Sequence, residues 1–361
     1  MNLTVQQKRI EKLLPTGILQ QTSFWSRVKE RLGWKPDAFD LSVPDTEADI
    51  LLIRKNIAPD AEIAYVPFGP EVLPDEDSRG IFLEEVSEEL KSRLPRNCIF
   101  IRYELPWESP YAREPERFDS AGRWTRLPEP HDRELRMNFG TAKHNLRKSP
   151  TDILPADTVI VDLSSPLNVI FERMKPKTRY NIRLAEKTGV SVSTSNLLEL
   201  PLWYDLYLET CRRHGLGAQS YKHFESIFLV SQNGISSVTP LLLLARREGL
   251  VIAGMILILS HSRATYLYGA SSWEHRRFMA TYALQWEAIR ISKEFGCTEY
   301  DLFGVSPGPD PAHPLYGLYR FKTGFGGRIV HRQGCWDYPL KPESYTQFRA
   351  KELTDRGYHN L

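Results

Sequence analysis

The sequence has few cysteines and no long apolar run. Its four cysteines are scattered, with no CxxC pair and no histidine cluster beside them. Because a structural zinc site needs closely spaced thiol and imidazole ligands, we predict no metal site. No apolar stretch approaches the roughly 18 residues that a membrane-spanning helix needs, and the first residues lack the apolar segment of a signal peptide. We therefore expect a soluble, cytoplasmic protein with reduced thiols.

The chain also has little net charge. Its 47 basic and 45 acidic side chains leave a formal charge of +2, which is too small for a protein that coats nucleic acid with its whole surface. A local basic face is still compatible with that balance. Hydrophobic residues make up 41% of the chain and aromatic residues 11%, enough for well-packed cores. The length of 361 residues suits two domains.

The first part of the chain alternates helices and strands. Helical spacing predicts a helix over 24–34 with Ser23 as its N-cap, and Lys29 projects from a different side than the apolar residues. The segment from 107 to 155 has weak periodicity and many prolines and charges, which predicts an irregular surface region. Strands are predicted over 48–54, 62–66 and 97–104, the last of which ends at Glu104.

A basic helix is predicted at the start of the second part, after a boundary near Pro155. In the run MKPKTRYNIRLAEK, Arg179, Arg183 and Lys187 recur at every fourth position and share one helix face. Such a face is commonly just solvated. Five cations with a single acidic neighbour also fit a phosphate-bearing partner, such as a nucleotide diphosphate, a lipid pyrophosphate or tRNA.

The rest of the second part predicts an α+β domain. Its order is two helices, three antiparallel strands, a helix over 281–295 and a final strand over 300–305. Alternation along the third strand places Tyr266 and Tyr268 on one face. The order resembles acetyltransferase-like (GNAT-like) folds, in which the last strands splay to admit an acyl donor.

The segment 300–327, YDLFGVSPGPDPAHPLYGLYRFKTGFGG, is the most informative part of the sequence. Lys322 stands between Phe321 and a run with three glycines in four positions, which would let the backbone adopt positive φ and approach a ligand closely. From spacing alone, a surface lysine on a hairpin and a lysine fixed in a site are equally compatible with this pattern.

Four stretches together resemble the Fem family (FemXAB-like), the non-ribosomal aminoacyltransferases that build peptidoglycan cross-bridges. The resemblance implies two GNAT-like domains, the first formed by 1–155 and 328–361 and the second by 156–327, without the coiled-coil arm of some members. The four stretches are KTRYNIRLAEKTGV, LLLLARREGLVIAGMILIL, YLYGASSWEHRRFMATYALQWEAI and the segment 300–327.

The resemblance also implies a reaction. Family members transfer an amino acid from aminoacyl-tRNA, a co-substrate that makes a cofactor unnecessary, to an amine on the stem peptide of UDP-MurNAc-pentapeptide or lipid II. Lys322 would stabilise the tetrahedral oxyanion, and Phe321 would supply a backbone carbonyl or shape the slot. A monomer is expected, with a peripheral contact to the inner face of the membrane if the acceptor is lipid-linked.

The residues that bind the precursor in family members are only partly matched in this sequence. Lys29 and Tyr268 fall where members contact the muropeptide nucleotide, and Glu104 stands where an aspartate occurs. Gln219 and His223 replace an arginine–tyrosine pair, which removes a fixed cation and leaves open whether the acceptor is nucleotide-linked or lipid-linked. Arg179 and Arg183 are the hypothetical replacement for that cation.

Two alternatives stay open. One is an N-acyltransferase of the same fold that uses acyl-CoA or another thioester. The run Ser306-Pro307-Gly308 is too rich in proline to donate a row of amides to a pyrophosphate, which argues against it. The other is a non-catalytic protein that binds tRNA or muropeptide, for which Lys322 would be dispensable.

Overall fold

The computed structural model describes residues 3–43, 46–120, 124, 128–232 and 237–354. The chain divides into two compact units, one formed by 1–14, 20–156 and 331–361 and the other by 15–19 and 157–330. The principal boundary between the two units thus falls after Ala156, one residue beyond the predicted position. The short segment 15–19 joins the second unit, which the sequence did not indicate.

The first unit begins as an antiparallel sheet, because β1 to β4 pair in sequence order. Strand β5 then pairs parallel with β4, and α2 supplies the crossover that a parallel pair needs. The strands are β1 Thr4–Lys8, β2 Lys35–Val43, β3 Thr46–Ala58, β4 Ala61–Val66, β5 Cys98–Glu108 and β6 Arg147–Lys148. The helices are α1 Ser23–Arg31, α2 Arg79–Lys91 and α3 Pro130–Met137.

Most of these elements agree with the sequence predictions. The predicted N-cap of α1 is wrong, because the hydroxyl of Thr22 rather than that of Ser23 accepts the N–H of Trp25 at 3.1 Å. Strands β1 and β2 were not predicted, and the segment read as irregular contains α3.

The second unit is a six-stranded sheet in the order β7-β12-β11-β10-β9-β8. Its strands are β7 Asp157–Asp162, β8 Ser191–Ser195, β9 Val238–Arg247, β10 Leu250–Ser260, β11 Arg263–Ser271 and β12 Glu299–Gly304. Its helices are α4 Leu167–Arg173, α5 Pro176–Lys187, α6 Leu200–His214, α7 Tyr221–Ser231, α8 Ala280–Glu294 and α9 Tyr316–Lys322. The predicted three antiparallel strands are β9, β10 and β11.

Helices cover both faces of this sheet. Met255, Leu257 and Leu259 of β10 share an apolar core with α5 and α8, while the buried Trp203 of α6 contacts the opposite face at Gly254. Helix α6 ends at a glycine, Gly215, whose φ of +64° is the left-handed conformation of a helix C-cap.

The chain then returns to the first unit. Strand β13 Arg328–Pro339 pairs antiparallel with β5 and β6, and α10 Pro342–Thr354 follows it. The predicted α+β class is therefore confirmed. Across the described ranges the helices reach at most 15 residues, and none of them is long and apolar enough to cross a membrane.

Candidate active site

Lys322 is the last residue of α9, and only 5% of it is exposed. Its Nζ donates hydrogen bonds to the carbonyl oxygens of Phe303 at 3.1 Å and Gly304 at 2.6 Å. The interpretation as a surface lysine on a hairpin is therefore wrong. An ammonium group has three N–H donors, and the described part of the chain gives this one two acceptors, which leaves one donor for a ligand.

The two acceptor carbonyls lie where β12 separates from β11. These parallel strands pair only as far as Thr265 and Asp301, and the register of β12 against β7 shifts between Asp301 and Gly304. Phe303 adopts a left-handed φ of +59° at this point, and its N–H donates to Asp301 Oδ1 at 2.8 Å. Strands β11 and β12 thus splay apart, as the resemblance to GNAT-like folds implied. Lys322 is held at the point where they separate, which we call the splay.

The surroundings of Lys322 favour its neutral form. Burial lowers the pKa of Lys322 to about 7, against the opposing charge of Asp301. Its Nζ also lies 5.4 Å from the centroid of the Tyr266 ring. A lysine with this pKa can be present as a cation or as an amine near neutral pH.

Phe321 packs beside this lysine as part of an aromatic cluster. Its ring meets those of Tyr282 and Phe325 edge-on, with centroids 5.0 and 5.2 Å away. Its carbonyl accepts the N–H of Thr323 at the end of α9. The structure therefore gives the ring a packing role and the carbonyl a partner within the protein.

The glycines after Lys322 approach the protein itself. A Cβ on Gly324 would lie 2.3 Å from the Thr178 hydroxyl oxygen, and one on Gly327 would lie 2.6 Å from the Ile160 carbonyl oxygen. Gly326 has a φ of +79°. The expectation that these glycines admit a ligand is corrected: they let this segment pack against α5 and β7.

The predicted basic face of α5 is only partly available. Arg179 donates to the backbone carbonyls of Glu172 and Met174, so its guanidinium is engaged within the unit. Arg183 is exposed and lies over the ring of Phe171 at 5.2 Å, at the rim of a groove of about 490 Å³. The structure thus separates the two arginines that the sequence grouped.

Tyr268 and His223 lie together. The hydroxyl of Tyr268 is 3.2 Å from His223 Nε2, and its ring packs edge-on against Phe224 at 4.9 Å. Gln219 is bound through its backbone, whose N–H donates to the Tyr207 hydroxyl at 3.0 Å. This contact engages the backbone of Gln219 and not its side chain.

Tyr266 and Tyr268 lie on opposite faces of the sheet, which corrects the prediction. Tyr268 pairs with Ile256 and Tyr266 with Leu257, so a bulge at Leu267 breaks the alternation. Tyr266 therefore joins the core shared with α5 and α8.

In the first unit, Lys29 lies among aromatic rings. Its Nζ is 5.1 Å from the ring centroid of Trp25 and 5.0 Å from that of Trp34. Lys55 approaches the ring of Trp34 at 4.9 Å. Burial and the charge of Lys55 lower the pKa of Lys29 to about 8. Lys29 and Lys55 thus lie around one indole ring, and burial disfavours the charged form of both lysines. A bound anion would stabilise that charged form.

Glu104 has no exposed surface. Its carboxylate accepts hydrogen bonds from the Tyr65 hydroxyl and from the N–H of Leu154, the latter at 2.6 Å. Burial raises the pKa of Glu104 to about 7. The expected direct contact with a substrate is not available in this structure, since the carboxylate is enclosed by its own unit.

We predict that Glu104→Gln changes how stability depends on pH. Between pH 4.5 and about 7 native Glu104 keeps a proton that the unfolded chain has lost. The free energy of unfolding of the wild type should therefore fall with rising pH, relative to the variant, by about 1.4 kcal/mol per pH unit. Urea denaturation across this range measures it. The control is Glu47→Gln, an exposed glutamate of β3, and parallel pH profiles for wild type and Glu104→Gln would contradict the prediction.

A family model decides the relationship of the chain. The model described as the FemAB family matches residues 11–235 and 235–352. The chain belongs to the FemAB family. The match covers both units, including α9 and Lys322.

Curated relatives of this FemAB-family chain carry the name lipid II:glycine glycyltransferase. The one from Staphylococcus epidermidis is 25% identical over 271 residues, which is 59% of this chain and 65% of that protein. The one from Staphylococcus saprophyticus is 25% identical over 251 residues, 54% of this chain and 60% of that protein. The chain thus spans slightly less than two thirds of the length of these relatives.

Solved structures support the fold of this FemAB-family member. A crystal structure of FemX matches with a TM-score of 0.72 at 18% identity, covering 94% of this chain and 96% of that one. A tandem GNAT protein from the clavulanic acid biosynthesis pathway matches with a TM-score of 0.52 at 12% identity, covering 94% of this chain and 98% of that one. The chain therefore has the predicted architecture of two GNAT-like domains.

The sequence did not indicate which groups accept the hydrogen bonds of Lys322 or shift its pKa. The carbonyls of Phe303 and Gly304 that accept its hydrogen bonds, and the nearby charge of Asp301, lie about twenty positions before it, and no local pattern links them to a lysine. The one signal in the sequence is Asp301, the only charged residue of the predicted strand 300–305. Within the described ranges all four cysteines are unpaired and buried, and no group of three or more potential metal ligands occurs.

Proposed function

We propose that this FemAB-family chain transfers an amino acid from aminoacyl-tRNA to the stem-peptide amine of a peptidoglycan precursor, and that the precursor is lipid II. The observation that carries the reaction type is Lys322, buried at the splay of β11 and β12 and bonded to two carbonyl oxygens. The printed name of the relatives supports lipid II as acceptor and glycine as the first amino acid to test.

Lys322 would act on the charge that develops during transfer. The acceptor amine attacks the ester carbonyl of the aminoacyl-tRNA, the carbonyl oxygen becomes an oxyanion, and the amine loses a proton. Collapse of this intermediate breaks the bond to the tRNA ribose, whose oxygen gains a proton in exchange for the one that the amine lost and leaves as the alcohol. Nζ of Lys322 has one donor available for the oxyanion, and its two carbonyl bonds fix the direction of that donor.

The ester is an activated donor, so the proposal requires no cofactor. The enzyme contributes alignment of amine and ester and stabilisation of the oxyanion. Since tRNA is charged in the cytoplasm, the proposal places the reaction on the cytoplasmic side of the membrane. The lipid-linked acceptor would be reached there.

The first unit would hold the anionic part of the acceptor. Lys29 and Lys55 surround the Trp34 ring, and neither forms an ion pair within the described ranges. A diphosphate, such as the one that links muropeptide to its lipid, would raise the lowered pKa of Lys29 on binding. In the second unit, Tyr268 and His223 would offer polar contacts to a substrate.

The decisive experiment supplies purified protein with radiolabelled aminoacyl-tRNAs and with two acceptors, UDP-MurNAc-pentapeptide and lipid II. We expect transfer of label to lipid II by the wild type and a strong loss with Lys322→Met. Transfer of label to UDP-MurNAc-pentapeptide and not to lipid II would show that the acceptor is the nucleotide-linked precursor. Activity with acyl-thioesters in place of tRNA would assign the chain to the other acyltransferase class. Binding of both substrates without transfer would indicate a binding protein.

A further inference from the structure

One end of the second unit carries arginines and exposed apolar side chains together. Strand β11 ends there at Ser271, opposite Ala253 of β10, close to the β9–β10 turn between Arg247 and Leu250. The loop 272–279, which leads from β11 to α8, lies at this end. We call loop 272–279, Arg212, Arg213, Leu216, Arg247 and Leu250 the arginine-rich tip.

Aromatic rings organise the arginines of the tip. The guanidinium carbons of Arg276 and Arg213 lie 3.9 and 5.7 Å from the ring centroid of Trp273. Those of Arg247 and Arg277 lie 4.2 and 4.8 Å from the ring centroid of Phe278. Four cations are thereby held around two rings of one loop.

Several arginines of the tip have no acidic partner among the described residues. Among the described residues, Arg212, Arg276 and Arg277 form no ion pair and are exposed. Arg213 and Arg247 are paired with Glu209 and Glu248, at 3.4 and 2.6 Å. The loop also contains the exposed Glu274. The tip therefore keeps a local positive excess on a chain whose formal net charge is only +2.

The same tip exposes large apolar side chains. Trp273 is 56% exposed, Leu216 55% and Leu250 54%. Leu250 pairs with Arg247 across the β9–β10 turn, and Leu216 stands three residues after Arg213, just past the end of α6. Exposed tryptophan and leucine beside cations are typical of surfaces that enter the headgroup region of a bilayer.

We propose that the arginine-rich tip docks on an anionic membrane surface. The arginines match the negative charge of the lipid headgroups, and the three apolar side chains gain by leaving water. RNA could satisfy the arginines and stack on Trp273, but it would leave Leu216 and Leu250 in water, which favours the bilayer. The parallel strands β11 and β12 are paired at their beginnings, so the splay that holds Lys322 opens toward the tip.

The test is co-sedimentation of the full-length protein with lipid vesicles that contain no peptidoglycan precursor, so that the result does not depend on the proposed function. Vesicles of phosphatidylcholine are compared with vesicles of phosphatidylcholine and phosphatidylglycerol. We expect binding to the anionic vesicles only. Arg276→Gln/Arg277→Gln should weaken it about 25-fold, from roughly a fivefold contribution of each cation near the surface.

Two further variants separate the contributions. Trp273→Ser/Leu250→Ser should weaken anionic binding while leaving the charge unchanged. The matched control is Arg31→Gln/Arg96→Gln, which removes two exposed arginines of the first unit and should leave binding unchanged. Equal loss with this control, equal binding to both kinds of vesicle, or no loss with the tip variants would overturn the proposal. Binding of tRNA in place of vesicles, lost with the tip variants, would also overturn it and assign the tip to RNA.

Discussion

Lys322→Met should lower the rate of aminoacyl transfer by about 10²- to 10³-fold, the usual cost of removing one donor from an oxyanion site. Methionine keeps the unbranched apolar stem that fills the site but cannot donate to an oxygen. Because the lost interaction forms only in the transition state, kcat should fall while KM changes little. Single-turnover transfer from preformed aminoacyl-tRNA measures this. Lys293→Met is the matched control, since that lysine also donates to a backbone carbonyl, that of Leu163, at 2.8 Å.

The pH dependence of the rate gives this prediction a second readout. With a pKa of about 7, Lys322 loses its charge as the pH rises through neutrality, so the rate should fall on the alkaline side after correction for ester hydrolysis. Lys322→Arg keeps a cation at every accessible pH, and whatever activity it retains should lack this fall. An unchanged rate in Lys322→Met, or the same alkaline fall in that variant, would show that Lys322 does not stabilise the oxyanion.

The sequence indicated Lys322 but not the structure that holds it. The local pattern of Phe321 and the following glycines was compatible with both a surface lysine and a fixed lysine, and the resemblance to the Fem family favoured the fixed one. Its acceptors are the carbonyls of Phe303 and Gly304, which become available because β12 separates from β11. That separation depends on strand pairing between distant segments, and no local spacing predicts it.

The errors elsewhere have the same origin. Strict alternation placed Tyr266 and Tyr268 on one face, but the bulge at Leu267 is decided by pairing with β10. Glu104 was predicted to contact the substrate because it stands where members of the Fem family have an aspartate. Its burial depends on Tyr65 and on the N–H of Leu154, which lies fifty positions away. By contrast, α8 follows from local periodicity, and its predicted range 281–295 lies within one residue of the observed helix Ala280–Glu294.

Arg102→Met should lower the free energy of unfolding of the first unit by about 3–5 kcal/mol, as expected when one partner of a buried ion pair is removed. Arg102 is fully buried. It donates to both oxygens of Asp337 at 2.7 and 2.8 Å and to both oxygens of Glu352 at 2.6 and 2.9 Å. Its hydrogen bonds therefore link β5 to β13 and α10, the two elements formed by the chain after it returns to this unit. Without it, the fully buried Asp337 has no cationic partner among the described residues and keeps the hydrogen bond from the Tyr345 hydroxyl at 3.0 Å.

Hydrogen exchange of the β5 and β13 amides, together with urea denaturation, follows this unit separately from the other. Arg93→Met is the control, because its ion pair with Glu89 at 3.1 Å is exposed and should contribute less than about 1 kcal/mol. Arg102→Met/Asp337→Leu should recover part of the loss, since it removes the isolated carboxylate as well as the cation. A cost for Arg102→Met as small as that of the control would show that the network contributes little. A double variant no more stable than Arg102→Met would show that the cost does not come from the unpaired charge of Asp337.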